Sequence, residues 1–115
     1  WMRSTPAWDG KDLFVAGMRD VLVSLDGATG KENWRVDFVS QFNKPAPGFG
    51  FVCSPLVDWK FLYVQAGGAF CKLEKANGKI VWRTLEDDGG AMNSAFSSPV
   101  LAKINGESQL LVQTR

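Results

Sequence analysis

The chain is predicted to be all-β, built from repeated four-stranded antiparallel modules, and three observations predict it. Ala28-Thr29-Gly30-Lys31-Glu32-Asn33-Trp34-Arg35 returns as Ala76-Asn77-Gly78-Lys79-Ile80-Val81-Trp82-Arg83, with the two tryptophans 48 residues apart. Within each copy, short apolar runs are separated by turn residues, the pattern of a strand meander. No stretch of the 115 residues sustains a helical period. Self-similarity at a spacing of about 20–50 residues marks a supersecondary unit that buries its apolar face only against its neighbours.

The register extends backwards from the motif. Ser4-Thr5-Pro6 aligns with Cys53-Ser54-Pro55, Asp9 with Asp58, Lys11 with Lys60, and Leu13-Phe14-Val15 with Leu62-Tyr63-Val64, all at an offset of 49. A third copy opens at Ser97-Ser98-Pro99-Val100-Leu101 and reaches Leu110-Leu111-Val112-Gln113. Its first turn, at Ile104-Asn105-Gly106-Glu107, absorbs the extra residues, as surface turns do readily. In the second copy, strands are expected over residues 54–57, 61–65, 69–73 and 79–84. In the first, Val21-Leu22-Val23-Ser24-Leu25 alternates, with Val21, Val23 and Leu25 on one face and Leu22 and Ser24 on the other. Asp9-Gly10, Ala16-Gly17, Gly67-Gly68 and Asn105-Gly106 punctuate the hairpins.

Asp26-Gly27-Ala28-Thr29-Gly30 and Lys75-Ala76-Asn77-Gly78 read as matching tight turns, with Thr or Asn bonding its own backbone and the last Gly left-handed. Four residues after that Gly stands the Trp. A buried indole removes roughly 150–250 Å² from water, the largest area any fixed position of the repeat carries. On that basis Trp82→Ala is expected to cost roughly 3–5 kcal/mol.

These two motifs, each preceded by a short strand ending in Leu25 or Leu73, resemble the blade signature of the pyrroloquinoline-quinone-type (PQQ-like) β-propeller repeat family. The resemblance implies a partial β-propeller: residues 1–38 as one blade, 39–53 as a connection, 54–84 as a second blade, 85–96 as a connection, and 97–115 as the first half of a third blade. It also implies that the outermost-strand Trp docks on the neighbouring blade over a small turn residue, Ala28 or Ala76 by motif position. Blade docking is therefore assigned to Ala28, Gly30, Trp34, Ala76, Gly78 and Trp82. Kelch and WD-type propellers fit worse, because neither a Gly-Gly doublet in every copy nor a recurring Trp-Asp pair is present. Closed propellers need about four to eight blades, so the chain is read as a piece of a larger protein or as a subunit whose ring is completed by oligomerisation.

A formal charge of +1, from 13 basic and 12 acidic residues spread along the chain, leaves no electrostatic footprint for nucleic acid. No apolar stretch approaches the ~18–20 residues of a membrane span, and no signal peptide is seen. The family resemblance implies a periplasmic or extracellular location. Histidine is absent, which removes Ser-His-Asp and Cys-His catalysis within this chain. Cys53 and Cys71 are 18 residues apart, match no metal motif, and are expected as buried free thiols with a strand between them.

Two connections are longer than a turn requires. The first gathers Phe42, Pro45, Pro47, Phe49 and Phe51 among glycines and is expected either to pack down or to offer an apolar surface. The second carries Glu86-Asp87-Asp88 and Gly89-Gly90, and it lacks the alternating ligand pattern of a calcium loop. Where such connections enter the innermost strands of a propeller they rim the channel mouth. Phe49, Phe51, Ser54, Asn93, Ser94, Ser97 and Ser98 are thus the candidate ligand-binding residues, against the alternative that the serines only satisfy backbone groups.

Two functional readings remain. The first is a non-catalytic scaffold or binding propeller, with a protein or small-molecule ligand, no catalytic residue, no metal and no cofactor. The second is part of a quinoprotein dehydrogenase that binds PQQ with calcium and oxidises alcohols or sugars. In that case Asp87, Asp88 and Asn93 are the only contributors the chain offers, and the adjacent cysteine pair of the alcohol dehydrogenases is missing. A lectin or peptide binder differs from the first reading only in its ligand.

Overall fold

The computed structural model describes residues 3–87 and 95–114. β1 (Ala7–Trp8), β2 (Asp12–Gly17), β3 (Val21–Asp26) and β4 (Glu32–Asp37) form one antiparallel meander in the order β1-β2-β3-β4. After one helical turn, α1 (Phe38–Phe42), the pattern recurs as β5 (Leu56–Asp58), β6 (Phe61–Ala66), β7 (Ala69–Glu74) and β8 (Ile80–Thr84), in the order β5-β6-β7-β8. A third sheet consists of β9 (Val100–Ile104) and β10 (Glu107–Leu111). The second-copy strands lie where alternation placed them, shifted at their ends by a residue or two.

The two full sheets repeat in detail. Phe14, Ser24 and Trp34 are cross-strand partners in the first, and Tyr63, Lys72 and Trp82 stand in the same register in the second. Each sheet carries a β-bulge between its third and fourth strands, at Ser24/Leu25 and at Lys72/Leu73. Each turn before the fourth strand closes in the same way: Gly30 N–H donates to the Asp26 carbonyl and Gly78 N–H to the Glu74 carbonyl, with both glycines at positive φ. The first turn is braced by Asp26, whose carboxylate accepts from the backbone N–H of Ala28 and Thr29 and from the Thr29 hydroxyl.

The core lies between the sheets. Phe14, Ala16, Leu22 and Val36 face Leu62, Val64, Ala66, Cys71 and Leu73, and all are buried. Leu22 and Ser24 are the fully buried side of β3, whereas Val21, Val23 and Leu25 on the other side are half-buried.

α1 departs from the all-strand expectation. Asp37 caps it, with its carboxylate accepting from Ser40 N–H at 3.0 Å and from the Ser40 hydroxyl at 2.9 Å, and Asn43 ends it in the left-handed conformation. This turn points Phe38 into the core, where it meets Phe42 and Phe51 at ring-centroid distances of 6.1 and 6.5 Å. The aromatic connection therefore packs down, except at Phe49.

Candidate functional site

Sequence-distant groups fasten the first sheet to the second at three heights. At the end bearing the β1–β2 and β3–β4 turns, the Trp34 ring lies over the backbone of Gly78 in the next sheet's turn, and its Nε1–H donates to the Lys75 carbonyl at 2.9 Å. A methyl group on Gly78 would stand 2.6 Å from the ring, so only glycine fits beneath it. Lys75 also pairs with Asp9 of the first sheet. Partial burial pushes the Asp9 carboxyl up, but Lys75 and the backbone N–H groups of Asp12 and Lys11 outweigh that and hold it at about 2.

At the opposite end, Asp20 in the β2–β3 turn reaches across to accept Gly67 N–H at 2.7 Å. Only 4% of Asp20 is exposed. Burial raises its carboxyl to about 6, against the Gly67 bond, and the charge of Asp37 adds to the rise. Beside it the Arg83 guanidinium sits 3.7 Å from the Phe42 ring centre and donates to the Gly67 carbonyl.

Near the innermost strands runs a repeated stitch. Thr5 N–H donates to the Ser54 hydroxyl at 2.9 Å, and Ser54 N–H donates to the Ser98 hydroxyl at 2.8 Å. Thr5, Ser54 and Ser98 are the same repeat position, so each copy's hydroxyl receives the preceding copy's N–H. Ser54→Ala leaves the Thr5 amide without this acceptor and is expected to cost about 1 kcal/mol, read from the urea midpoint. The conserved-shape variant Ser54→Thr should recover it.

Of the residues assigned to blade docking, Trp34 and Gly78 meet each other; the ring thus lies over the turn's left-handed glycine and not, as expected from motif position, over Ala76, which is on the same turn. Gly30 has open space around it and Ala28 is exposed. Trp82 is 36% exposed and touches Tyr63 and Phe70 of its own sheet, at 6.1 and 5.7 Å. The cost foreseen for Trp82→Ala is therefore too high for this ring. No turn equivalent to residues 75–78 lies against it among the described residues, and truncation is expected to cost no more than about half as much.

The candidate mouth residues divide. Phe49 is 39% exposed, packs on Phe96 at 5.6 Å, and is covered on one side by Arg3 at 5.7 Å. Phe51 is 2% exposed and packs in the core, at the edge of a concavity shared with Asp20, Pro45 and Gly67. Ser54 and Ser98 form the stitch, and the Ser97 carbonyl accepts from Gln65 Nε2 at 2.7 Å. Asn93 and Ser94 lie outside the described residues. Phe96, 63% exposed, was missed by sequence reasoning, because a lone Phe before a Ser-Ser-Pro run carries no periodic signal.

Both cysteines are free and buried. Burial pushes the Cys53 thiol up to about 11 and Cys71 up to about 12, so neither is a thiolate at neutral pH. Cys53 donates to the Gln65 carbonyl at 3.4 Å, the bond that Ser4 makes to the Ala16 carbonyl in the first copy. A disulfide reagent is expected to label neither thiol within minutes in buffer and both in denaturant; rapid labelling in buffer would contradict the burial. Among the described residues no three His, Cys, Asp or Glu side chains converge to hold a metal ion. Asp88 lies outside the described residues. Among those same residues no helix is long and apolar enough to cross a membrane.

A PQQ-repeat family model described as outer membrane protein assembly factor BamB matches residues 1–115. The chain belongs to this family. Its sheets are PQQ-like repeats, and the fold is a partial β-propeller. The chain is 25% identical over 100 residues to the outer membrane protein assembly factor BamB of Yersinia pestis, covering 84% of this chain and 24% of that relative. Among solved structures, BamB from Moraxella catarrhalis superposes with a TM-score of 0.58 at 19% identity, over 74% of this chain and 24% of that one. The quinohemoprotein alcohol dehydrogenase of Comamonas testosteroni gives 0.59 at 22% identity, over 84% and 15%. These superpositions show the shared blade fold. The chain spans about a quarter of the BamB proteins it matches.

Proposed function

We propose that this chain supplies PQQ-like blades to a non-catalytic propeller that binds protein partners in outer-membrane protein assembly, on the periplasmic side of that membrane. The BamB family match over the whole chain is the observation that carries this reading. The surface supports it: Phe49 and Phe96 form an exposed aromatic pair flanked by Arg3, the residue types that anchor protein interfaces. The chain carries no histidine, and among the described residues no three His, Cys, Asp or Glu side chains converge as metal donors. No bound cofactor enters the reading.

A photo-crosslinking amino acid placed at Phe49 or Phe96 of the protein in its native envelope tests the proposal. Crosslinks to outer-membrane assembly proteins are expected from either position, and those from position 49 should weaken when Phe96→Ala is added, as those from position 96 should with Phe49→Ala. Dye-linked alcohol or sugar oxidation after addition of PQQ and Ca²⁺ would overturn the non-catalytic reading.

A further inference from the structure

A second, separate site lies at the other end of the sheets, where the β1–β2 and β3–β4 turns meet the β7–β8 turn. There a cavity of about 270 Å³ opens between the first two sheets, lined by Asp12, Ser24, Asn33 and Trp34 on one side and Lys75 on the other, with Lys11 at its edge. Its polar groups are organised. Asn33 Nδ2 donates both to Asp12 Oδ1 at 3.1 Å and to the Ser24 hydroxyl at 3.2 Å, and Ser24 is buried. The bulge at Ser24/Leu25 is what brings Asn33 there: it inserts one residue into β4 and turns that side chain onto the face shared by Asp12 and Ser24.

The repeat supplies its own control. At the positions of Asp12, Ser24 and Asn33, the second sheet carries Phe61, Lys72 and Val81, on the same strands, beside the same bulge and next to Trp82. There the Lys72 ammonium rests 3.8 Å from the Phe61 ring centre. The scaffold thus accepts apolar residues at two of the three places. The polar trio of the first sheet is therefore not a requirement of the fold; Ser24 is its buried member, Asp12 is half-buried and Asn33 is exposed to the cavity mouth.

The chemistry of the walls selects the ligand. Two ammonium groups, Lys11 and Lys75, disfavour a metal ion, and the Asp12 carboxylate disfavours an anion. Asn33 Nδ2 is engaged with Asp12 Oδ1 and Ser24, which leaves the second Asp12 oxygen and the Asn33 amide oxygen as acceptors; Lys11 offers a donor, Lys75 being paired with Asp9, and the Trp34 indole provides an apolar wall. A neutral ligand with neighbouring hydroxyls and an apolar face meets all of these. The volume falls just below the roughly 300–1,000 Å³ of small-molecule sites, which suits one ring. We propose that this inter-sheet cavity binds a monosaccharide-sized sugar, held by Asp12, Ser24 and Asn33 against Trp34.

Titration of the full chain, ¹⁵N-labelled, with glucose, galactose and N-acetylglucosamine tests this by NMR. The expected result is a saturable shift of the Asn33 side-chain amide and the Trp34 indole N–H with one of these sugars, at a Kd on the order of mM. Asn33→Val, the residue the second sheet carries, and Asp12→Asn should each weaken binding about tenfold or more, equivalent to about 1.4 kcal/mol. Asp12→Asn is isosteric and keeps the test open if Asn33→Val does not fold. No saturable shift with any of the three sugars, or a shift whose affinity survives both variants, would overturn the proposal. Neither outcome bears on the partner surface at Phe49 and Phe96, which is at the opposite end.

Discussion

Trp34→Ala is expected to lower stability by about 3–5 kcal/mol. Three losses combine at that position. The indole ring covers Gly78 of the next sheet and tilts against Phe14 at 6.0 Å, so its removal opens a gap between sheets that cannot close without shifting backbone. The Lys75 carbonyl loses its donor. Lys75, which also pairs with Asp9 of the first sheet, loses the indole that fixes its backbone. Trp34→Phe should keep much of the packing and lose the hydrogen bond, costing about 1–2 kcal/mol. Chemical denaturation with fluorescence and circular dichroism measures both. A Trp34→Ala cost below that of Trp82→Ala would contradict the role of Trp34 in joining the first two sheets.

Asp20→Asn is expected to remove a pH dependence rather than a contact. The carboxyl titrates near 6 in the folded chain, above the usual 3.8, so the folded state holds its proton more tightly than the unfolded state does. Stability therefore falls as pH rises between about 4 and 6, by on the order of 3 kcal/mol once Asp20 is ionised. The depressed carboxyls Asp9, Asp26, Glu32 and Asp37 act with the opposite sign, and their contribution is lost only as pH falls below about 4, so the two windows separate. Asn retains an acceptor for Gly67 N–H. The variant should match the parent near pH 4 and exceed it at pH 7, with a flat profile between. An unchanged slope in Asp20→Asn would place the titrating group elsewhere.

What the sequence made legible is what repeats. The Gly78-to-Trp82 spacing located the tight turn and the indole, and period-2 alternation located the strands. The same motif could not distinguish Trp34 from Trp82, because exposure depends on whether another sheet's turn lies against the ring, and identical local residues carry no record of that. Ser54 and Ser98 were singled out by position at the mouth, yet their hydroxyls are used by neighbouring amides. Asp20 was invisible because its partner is a backbone N–H 47 residues away, and any residue at Gly67 supplies one. α1 had a readable cap in Asp37 and Ser40, but at five residues it is too short to show a period. The trio Asp12, Ser24 and Asn33 emerges only when the two copies are superposed, since the bulge that joins them has no sequence signature.

The most direct test of the side-by-side docking of these sheets is a double-mutant cycle between Trp34 and Gly78, with Gly30 as internal control. Both glycines sit at positive φ, 74° and 72°, so each Gly→Ala change carries a similar backbone cost of about 1 kcal/mol. Only at Gly78 does the added methyl meet the Trp34 ring. Gly78→Ala is therefore expected to cost well above Gly30→Ala in the parent chain and to fall to the same value once Trp34 is Ala, a coupling of about 1–2 kcal/mol. Additive costs at Trp34 and Gly78, equal to those at Trp34 and Gly30, would contradict the docking.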